Sequence, residues 1–161
     1  MADDLRILEL LEENAGLTED EIAKMLDENP AKVRKSITDL KKRKIILKSK
    51  AIVDWKKAGR PYATAAIQIK VVPQERAGFA RICETLAKDN RVTDVFVVTG
   101  EYDLLIMIRA ESLEEVSDFV TEKLAPKREV VGTYTHIIMS EYKRDGAAIS
   151  NDKAKRLAVS I

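Results

Sequence analysis

The chain has 161 residues, 45% of them apolar and 34% charged, which suits one domain or two small ones and excludes wholesale disorder. No apolar run approaches the roughly 20 residues of a membrane span, and no signal-peptide pattern opens the chain, so a soluble cytoplasmic protein is expected. Cys83, the only cysteine, excludes an internal disulfide, a CxxC redox pair and a thiolate zinc cluster, and nothing calls for a metal or a cofactor.

The net charge of +1 hides an asymmetry. Residues 1–29 hold ten acids against Arg6 and Lys24, whereas residues 30–50 hold nine bases against Asp39 alone. A basic block inside a neutral chain points to a polyanion-binding element.

The first 45 residues predict three helices. Leu5, Ile7, Leu8, Leu10 and Leu11 form the first stripe, with Asp3 or Asp4 as cap and Gly16 past the end. Thr18-Glu19-Asp20-Glu21 is a capping box opening a second, short helix with Ile22, Ala23, Met25 and Leu26 on its apolar face. Asn29 then caps a third helix with Pro30 at its first position, where the missing N–H costs nothing. Val33, Ile37 and Leu40 are its buried stripe. Ala31, Lys35, Thr38 and Lys42 lie opposite, flanked by Lys32, Arg34 and Lys41. Two short helices joined by a tight break, the second with a basic outer face, predict a helix-turn-helix whose second helix enters the major groove of duplex DNA. The bland alternative is a solvated face of an ordinary three-helix domain. Residues 45–47 and 51–53 around Lys48 and Lys50 predict a hairpin wing, which closes an N-terminal DNA-binding domain at residue 53.

Residues 54–61 read as a hinge, with Trp55 as a packing anchor. Strands and helices then alternate over 62–143. Ile67, Ile69 and Val71 share a face of one strand; an amphipathic helix over 76–88 carries Phe79, Ile82, Cys83, Leu86 and Ala87; strands follow at 92–98 and 104–108. Ser112 caps a helix over Leu113, Val116, Phe119, Val120 and Leu124, with Glu115 at the capping-box position, and residues 130–142 form a last long strand. The fold class is therefore α+β, a winged helix-turn-helix followed by a ferredoxin-like βαββαβ domain. Its sheet has helices on one face only, so the other face is expected to pack on a second copy. Residues 144–161 form a tail, with Ala154, Leu157 and Ala158 suited to a helical turn.

This order of elements, with Gly100-Glu101-Tyr102-Asp103 before an apolar strand, resembles the leucine-responsive regulator (Lrp/AsnC) family over nearly the whole chain. Leu5-Arg6-Ile7-Leu8-Glu9-Leu10-Leu11 and the 53–59 connection carry the likeness too. The chain departs from the family pattern in three places: Lys44 and the pair Asp27-Glu28 stand where glycine is common, and Trp55 where proline is. The resemblance implies a transcription regulator that dimerises through its C-terminal sheets, assembles further into tetramers or octamers, and binds an amino acid or related metabolite between dimers near Gly100, Glu101, Tyr102 and Asp103. Residue chemistry agrees: Gly100 lets a ligand approach the backbone, and Asp103 suits an ammonium group. Gly and Asp are equally what a tight turn between buried strands requires. Two rival readings share the plan, a sirohaem-decarboxylase-like enzyme and an amino-acid sensor that does not bind DNA. Against the enzyme stands the single histidine, His136, read as a packed or hydrogen-bonded residue on an apolar strand. Against the second stands the intact basic face.

Overall fold

The computed structural model describes residues 2–72 and 78–149 and divides into two compact units, 1–53 and 54–161. In the first, α1 (Ala2–Glu13), α2 (Glu19–Leu26) and α3 (Pro30–Lys42) pack around Ile7, Ile22, Ala23, Val33 and Ile37. The capping box at Thr18 forms as written: its Oγ1 accepts from the Glu21 amide at 3.2 Å, and Glu21 Oε2 accepts from the Thr18 amide at 2.8 Å. Asn29 Oδ1 accepts from the Ala31 amide at 2.8 Å, with Pro30 at the first helical position. Some details differ. Asp3 and Asp4 lie in the first turn of α1 instead of capping it, where carboxylates favour the positive end of the helix dipole. Leu5 and Met25 point outward, 62% and 58% exposed, because three short helices have no layer beyond them to cover these positions.

Beyond α3 no strand ladder forms at residues 43–53, so the expected hairpin is absent as paired strands, and Leu47 and Ile52 are exposed. Lys48-Ser49-Lys50 lacks the Gly or Asn that tight hairpin turns need at left-handed positions.

The second unit holds a four-stranded antiparallel sheet of order β2-β3-β1-β4, built from β1 (Ala63–Val71), β2 (Val92–Val97), β3 (Leu104–Ala110) and β4 (Val130–Ile137). Two helices cover one face: α4 (Ala80–Leu86), and α5 (Leu113–Asp118), which runs on as a π-helical segment, Phe119–Leu124. Strand alternation explains the core. Ala65, Ile67, Ile69 and Val71 of β1 and Leu104, Ile106, Ile108 and Ala110 of β3 are buried on the helix side, against Ile82, Leu86, Val116, Phe119 and Leu124. Cys83 packs at the margin of this core, where burial pushes its thiol above the ordinary range. Residues 76 and 77 of the expected helix fall outside the described residues, as does the turn expected at 154–158.

Three expectations are corrected. Ser112 does cap α5, its Oγ accepting from the Glu115 amide at 3.2 Å, but Glu115 Oε2 accepts from the Glu111 amide at 3.0 Å instead of closing a capping box. The last strand stops at Ile137, not 142. Past it the chain makes a separate two-stranded hairpin, β5 (Lys143–Arg144) with β6 (Ala147–Ala148), turned at Asp145 and Gly146, both at positive φ. His136 is exposed in the single chain, outside the core: it stands opposite Ala66 on the sheet face that the helices leave bare, its ring 4.7 Å from that of Tyr134.

Candidate nucleic-acid interface and effector turn

The α2–α3 junction is a tight break. Asp27 takes the left-handed conformation at φ 53°, ψ 47°, and its amide reaches back to the carbonyls of Ala23 and Lys24. The buried stripe of Val33, Ile37 and Leu40 then fixes which way α3 faces. Ala31, Lys32, Arg34, Lys35, Thr38, Lys41 and Lys42 are all exposed, as are Lys48 and Lys50 after the helix. Thr38 Oγ1 donates to the Arg34 carbonyl at 2.8 Å, which leaves its oxygen as an acceptor only.

The cations are not equivalent. Lys32 Nζ lies 2.8 Å from Glu28 Oε1 and 3.1 Å from Asp3 Oδ2. Glu28 first and Asp3 second raise its pKa, and Lys32 in turn lowers that of Asp3. Among the described residues Arg34, Lys35, Lys41 and Lys42 have no such carboxylate partner. A phosphate approaching Lys32 therefore competes with two acids already in place. Removing one of them with Asp3→Asn is expected to raise affinity for duplex DNA about two- to fivefold at low salt, the range of one exposed ion pair. Fluorescence anisotropy with a labelled duplex checks this, and unchanged or weaker binding would place Lys32 off the DNA.

At the other candidate site, Gly100 has φ +124°, and a Cβ built there would meet nothing within 4 Å. Glu101 is exposed, while Tyr102 is half-buried with its ring 6.5 Å from that of Tyr134. Asp103 is the surprise. Its Oδ2 accepts from the Val71 amide at 3.0 Å, Lys70 Nζ lies 3.3 Å from the carboxylate, and its own amide donates to the Ile69 carbonyl at 3.1 Å. The β1–β3 ladder ends at the Ile69–Leu104 pair, so the Val71 amide has no strand carbonyl opposite it and takes the carboxylate instead. That amide above all, with Lys70 behind it, holds Asp103 below the usual carboxylate range. Asp103 is thus an anchor of the turn in its own right. Among the described residues no cluster of acids, histidine or cysteine could hold a metal ion, and no helix is long and apolar enough to cross a membrane.

The sequence profile of the Lrp/AsnC ligand binding domain matches residues 64–148, and that of a winged helix-turn-helix DNA-binding domain matches residues 4–46. The chain belongs to the Lrp/AsnC family. The helix-turn-helix regulator YugG of Bacillus subtilis is 38% identical over 96% of this chain and 94% of its own length. In structure, MtbAldR superposes with a TM-score of 0.74 at 25% identity, covering 91% of this chain and 98% of that one. A transcriptional regulator of Neisseria meningitidis, solved as a complex with L-Met, superposes at 0.69 and 22% identity over 92% of this chain and 94% of that one. This Lrp/AsnC member is a DNA-binding transcription regulator of α+β fold, with a helix-turn-helix ahead of a ferredoxin-like sheet.

Proposed function

We propose that this regulator answers an amino acid or related small metabolite held between dimers at the Gly100–Asp103 turn. The observation that carries the reading is the open turn itself, where Gly100 takes positive φ and nothing lies within 4 Å of the space a Cβ would fill, room for a ligand to approach the turn's backbone amides. A ligand carboxylate would take those amides. Its ammonium would take the Asp103 carboxylate, which keeps acceptor capacity beside its bond to Val71 and shares Lys70, 45% exposed, with solvent. Glu101 and Tyr102 would flank the ligand. The L-Met complex of the Neisseria meningitidis relative supports the ligand class. The DNA-binding surface of this reading is Ala31, Lys32, Arg34, Lys35, Thr38, Lys41 and Lys42 with Lys48 and Lys50 beyond. The regulator names of the relatives favour this over the decarboxylase alternative. Calorimetry of the full chain against the proteinogenic amino acids tests the effector half. One of them is expected to bind, and Glu101→Lys with Asp103→Ala to abolish binding; a ligand bound equally by that variant would move the pocket elsewhere.

Assembly is supported by the sheet face that the helices leave bare. Register places Phe96, Leu105, Met107, Ala66 and Tyr134 there, and Phe96 and Tyr134 are 48% and 55% exposed. The full chain is expected to sediment as a homodimer or a larger even assembly, and Met107→Lys to raise the dimer dissociation constant more than about tenfold by placing a charge in the covered core. A wild-type monomer at micromolar concentration would refute the dimer.

A further inference from the structure

The strand register lines up side chains in rows across the bare face of the sheet. One row runs from His136 of β4 through Ala66 of β1 and Met107 of β3 to Asp94 of β2. The next runs through Tyr134, Gln68, Leu105 and Phe96. The first row therefore carries a base at one edge of the sheet and an acid at the other. Three strand spacings, about 14 Å, separate them, so they do not pair within one copy. Both are exposed, and neither has an oppositely charged partner among the described residues. Asp94 Oδ2 accepts from the Thr93 hydroxyl at 2.7 Å.

Two copies packed on this face with aligned sheets have two simple twofold arrangements. With the axis across the strands, each strand meets its own counterpart. Leu105 and Met107 of β3 then press on their own kind, while Thr64 and Ala66 of β1 face each other across a gap. The two His136 strands also come together, as do the two Asp94 strands. With the axis along the strands, between β1 and β3, every row meets itself reversed. Ala66 then lies under Met107 of the partner subunit, small against large, and Tyr134 lies under the partner's Phe96, ring against ring. His136 lies under the partner's Asp94. Close packing favours small against large, and electrostatics favours base against acid, so both select the second arrangement.

Resting on the dimer reading above, we propose that the copies pack about a twofold along the strands and that His136 of each pairs, as imidazolium, with Asp94 of the partner subunit. Two such pairs flank an apolar centre, one at each edge. A separated copy has neither pair, so proton uptake and assembly favour each other. The added stability is fully present below the range in which imidazole titrates and is lost as pH rises through it. Other charges near the face leave this sign unchanged. Lys70 is two rows away and held by Asp103, and Arg109, one row away, meets Thr64 of the partner subunit. Beyond β4, Glu141 and Arg144 hold each other. His136 is the only histidine, carboxylates ordinarily titrate below about pH 5, and burial raises the Cys83 thiol. A change in assembly between about pH 6 and about pH 7.5 therefore reports His136.

Sedimentation of the full chain, with fluorescence detection of a labelled copy to reach dilute solution, tests the pairing. The dimer dissociation constant is expected to fall about tenfold or more as pH drops from about 7.5 to about 6, on the scale of two charged hydrogen bonds. Asp94→Asn is expected to reverse the trend, because the imidazolium then enters a covered face without its carboxylate, and His136→Gln to abolish it. Exchanging the charges separates a contact between copies from a local effect. At about pH 7.5, Asp94→Lys and His136→Glu are each expected to weaken the dimer about tenfold, and the double variant to recover most of the loss. Both positions are exposed in the single copy, and circular dichroism checks that each variant folds. A dimer whose constant is flat or rises on acidification, or a folded double variant no tighter than the single ones, overturns the pairing and leaves the dimer reading standing. A monomer at every pH overturns both.

Discussion

Replacing Lys35 and Lys42 together by alanine is expected to weaken duplex DNA binding by well over tenfold at low salt. The slope of log K against log salt should fall by about 0.9 for each phosphate that is no longer neutralised. Both residues stand opposite the buried stripe of Val33, Ile37 and Leu40, and neither has a carboxylate partner among the described residues. Their full charge is therefore available to phosphate. Alanine is the best helix former, so the helix itself should survive and the oligomer should be unchanged by sedimentation. Lys32→Ala makes the contrast, because Glu28 and Asp3 already neutralise much of that charge, and a decrease several times smaller is expected. Anisotropy titrations at two or three salt concentrations measure both quantities. An unchanged affinity and slope in the double variant would mean that α3 does not face DNA.

Most of the fold could be read from local rules because those rules act on neighbours in sequence. The caps at Thr18, Asn29 and Ser112 form at the residues that chemistry prescribes, and strand alternation picks out the buried face of β1. The two departures from the family pattern in the first unit also acquire a physical meaning. Asp27 and Lys44 both take positive φ, at 53° and 56°, the conformation glycine adopts without strain. The family pattern marks these positions as glycine-like, and the backbone there is left-handed without glycine.

What escapes the sequence depends on interactions between distant residues. Whether Lys32 is available to DNA turns on Asp3, 29 positions away, and on Glu28. The anchoring of Asp103 depends on where the β1–β3 ladder runs out, a matter of register that no local pattern carries. The seating of Arg109 against the Tyr62 ring, 5.5 Å from its centroid, has one visible signal, a lone cation directly after the apolar run Leu104-Leu105-Ile106-Met107-Ile108. Its placement emerges only once Trp55 and Tyr62 are brought together by a turn that reads in sequence as a simple hinge. The hairpin at 143–148 is hidden for another reason: two residues per strand are too few for alternation to show.

Phe119→Ala is expected to destabilise the second unit by about 3–5 kcal/mol, the range for truncating a buried phenylalanine. Phe119 has no exposed surface and sits where α5 passes into the π-helical segment, among Val116, Leu124 and the buried face of the sheet. Its ring also receives the Arg91 guanidinium at 5.0 Å, itself held by Asp89 at 2.7 Å, so truncation removes a cation–π interaction along with the packing. The helix-turn-helix core of Ile7, Ile22, Ala23, Val33 and Ile37 shares no residue with that cluster. Truncating Phe119 should therefore lower the transition of the sheet domain and leave that of the DNA-binding unit nearly in place. Hydrogen exchange followed residue by residue distinguishes the two: protection should fall in β1, β3 and α5 while α2 and α3 keep theirs. An equal fall across both units would show that the two cores unfold as one cooperative body, and that the division at residue 53 is only geometric.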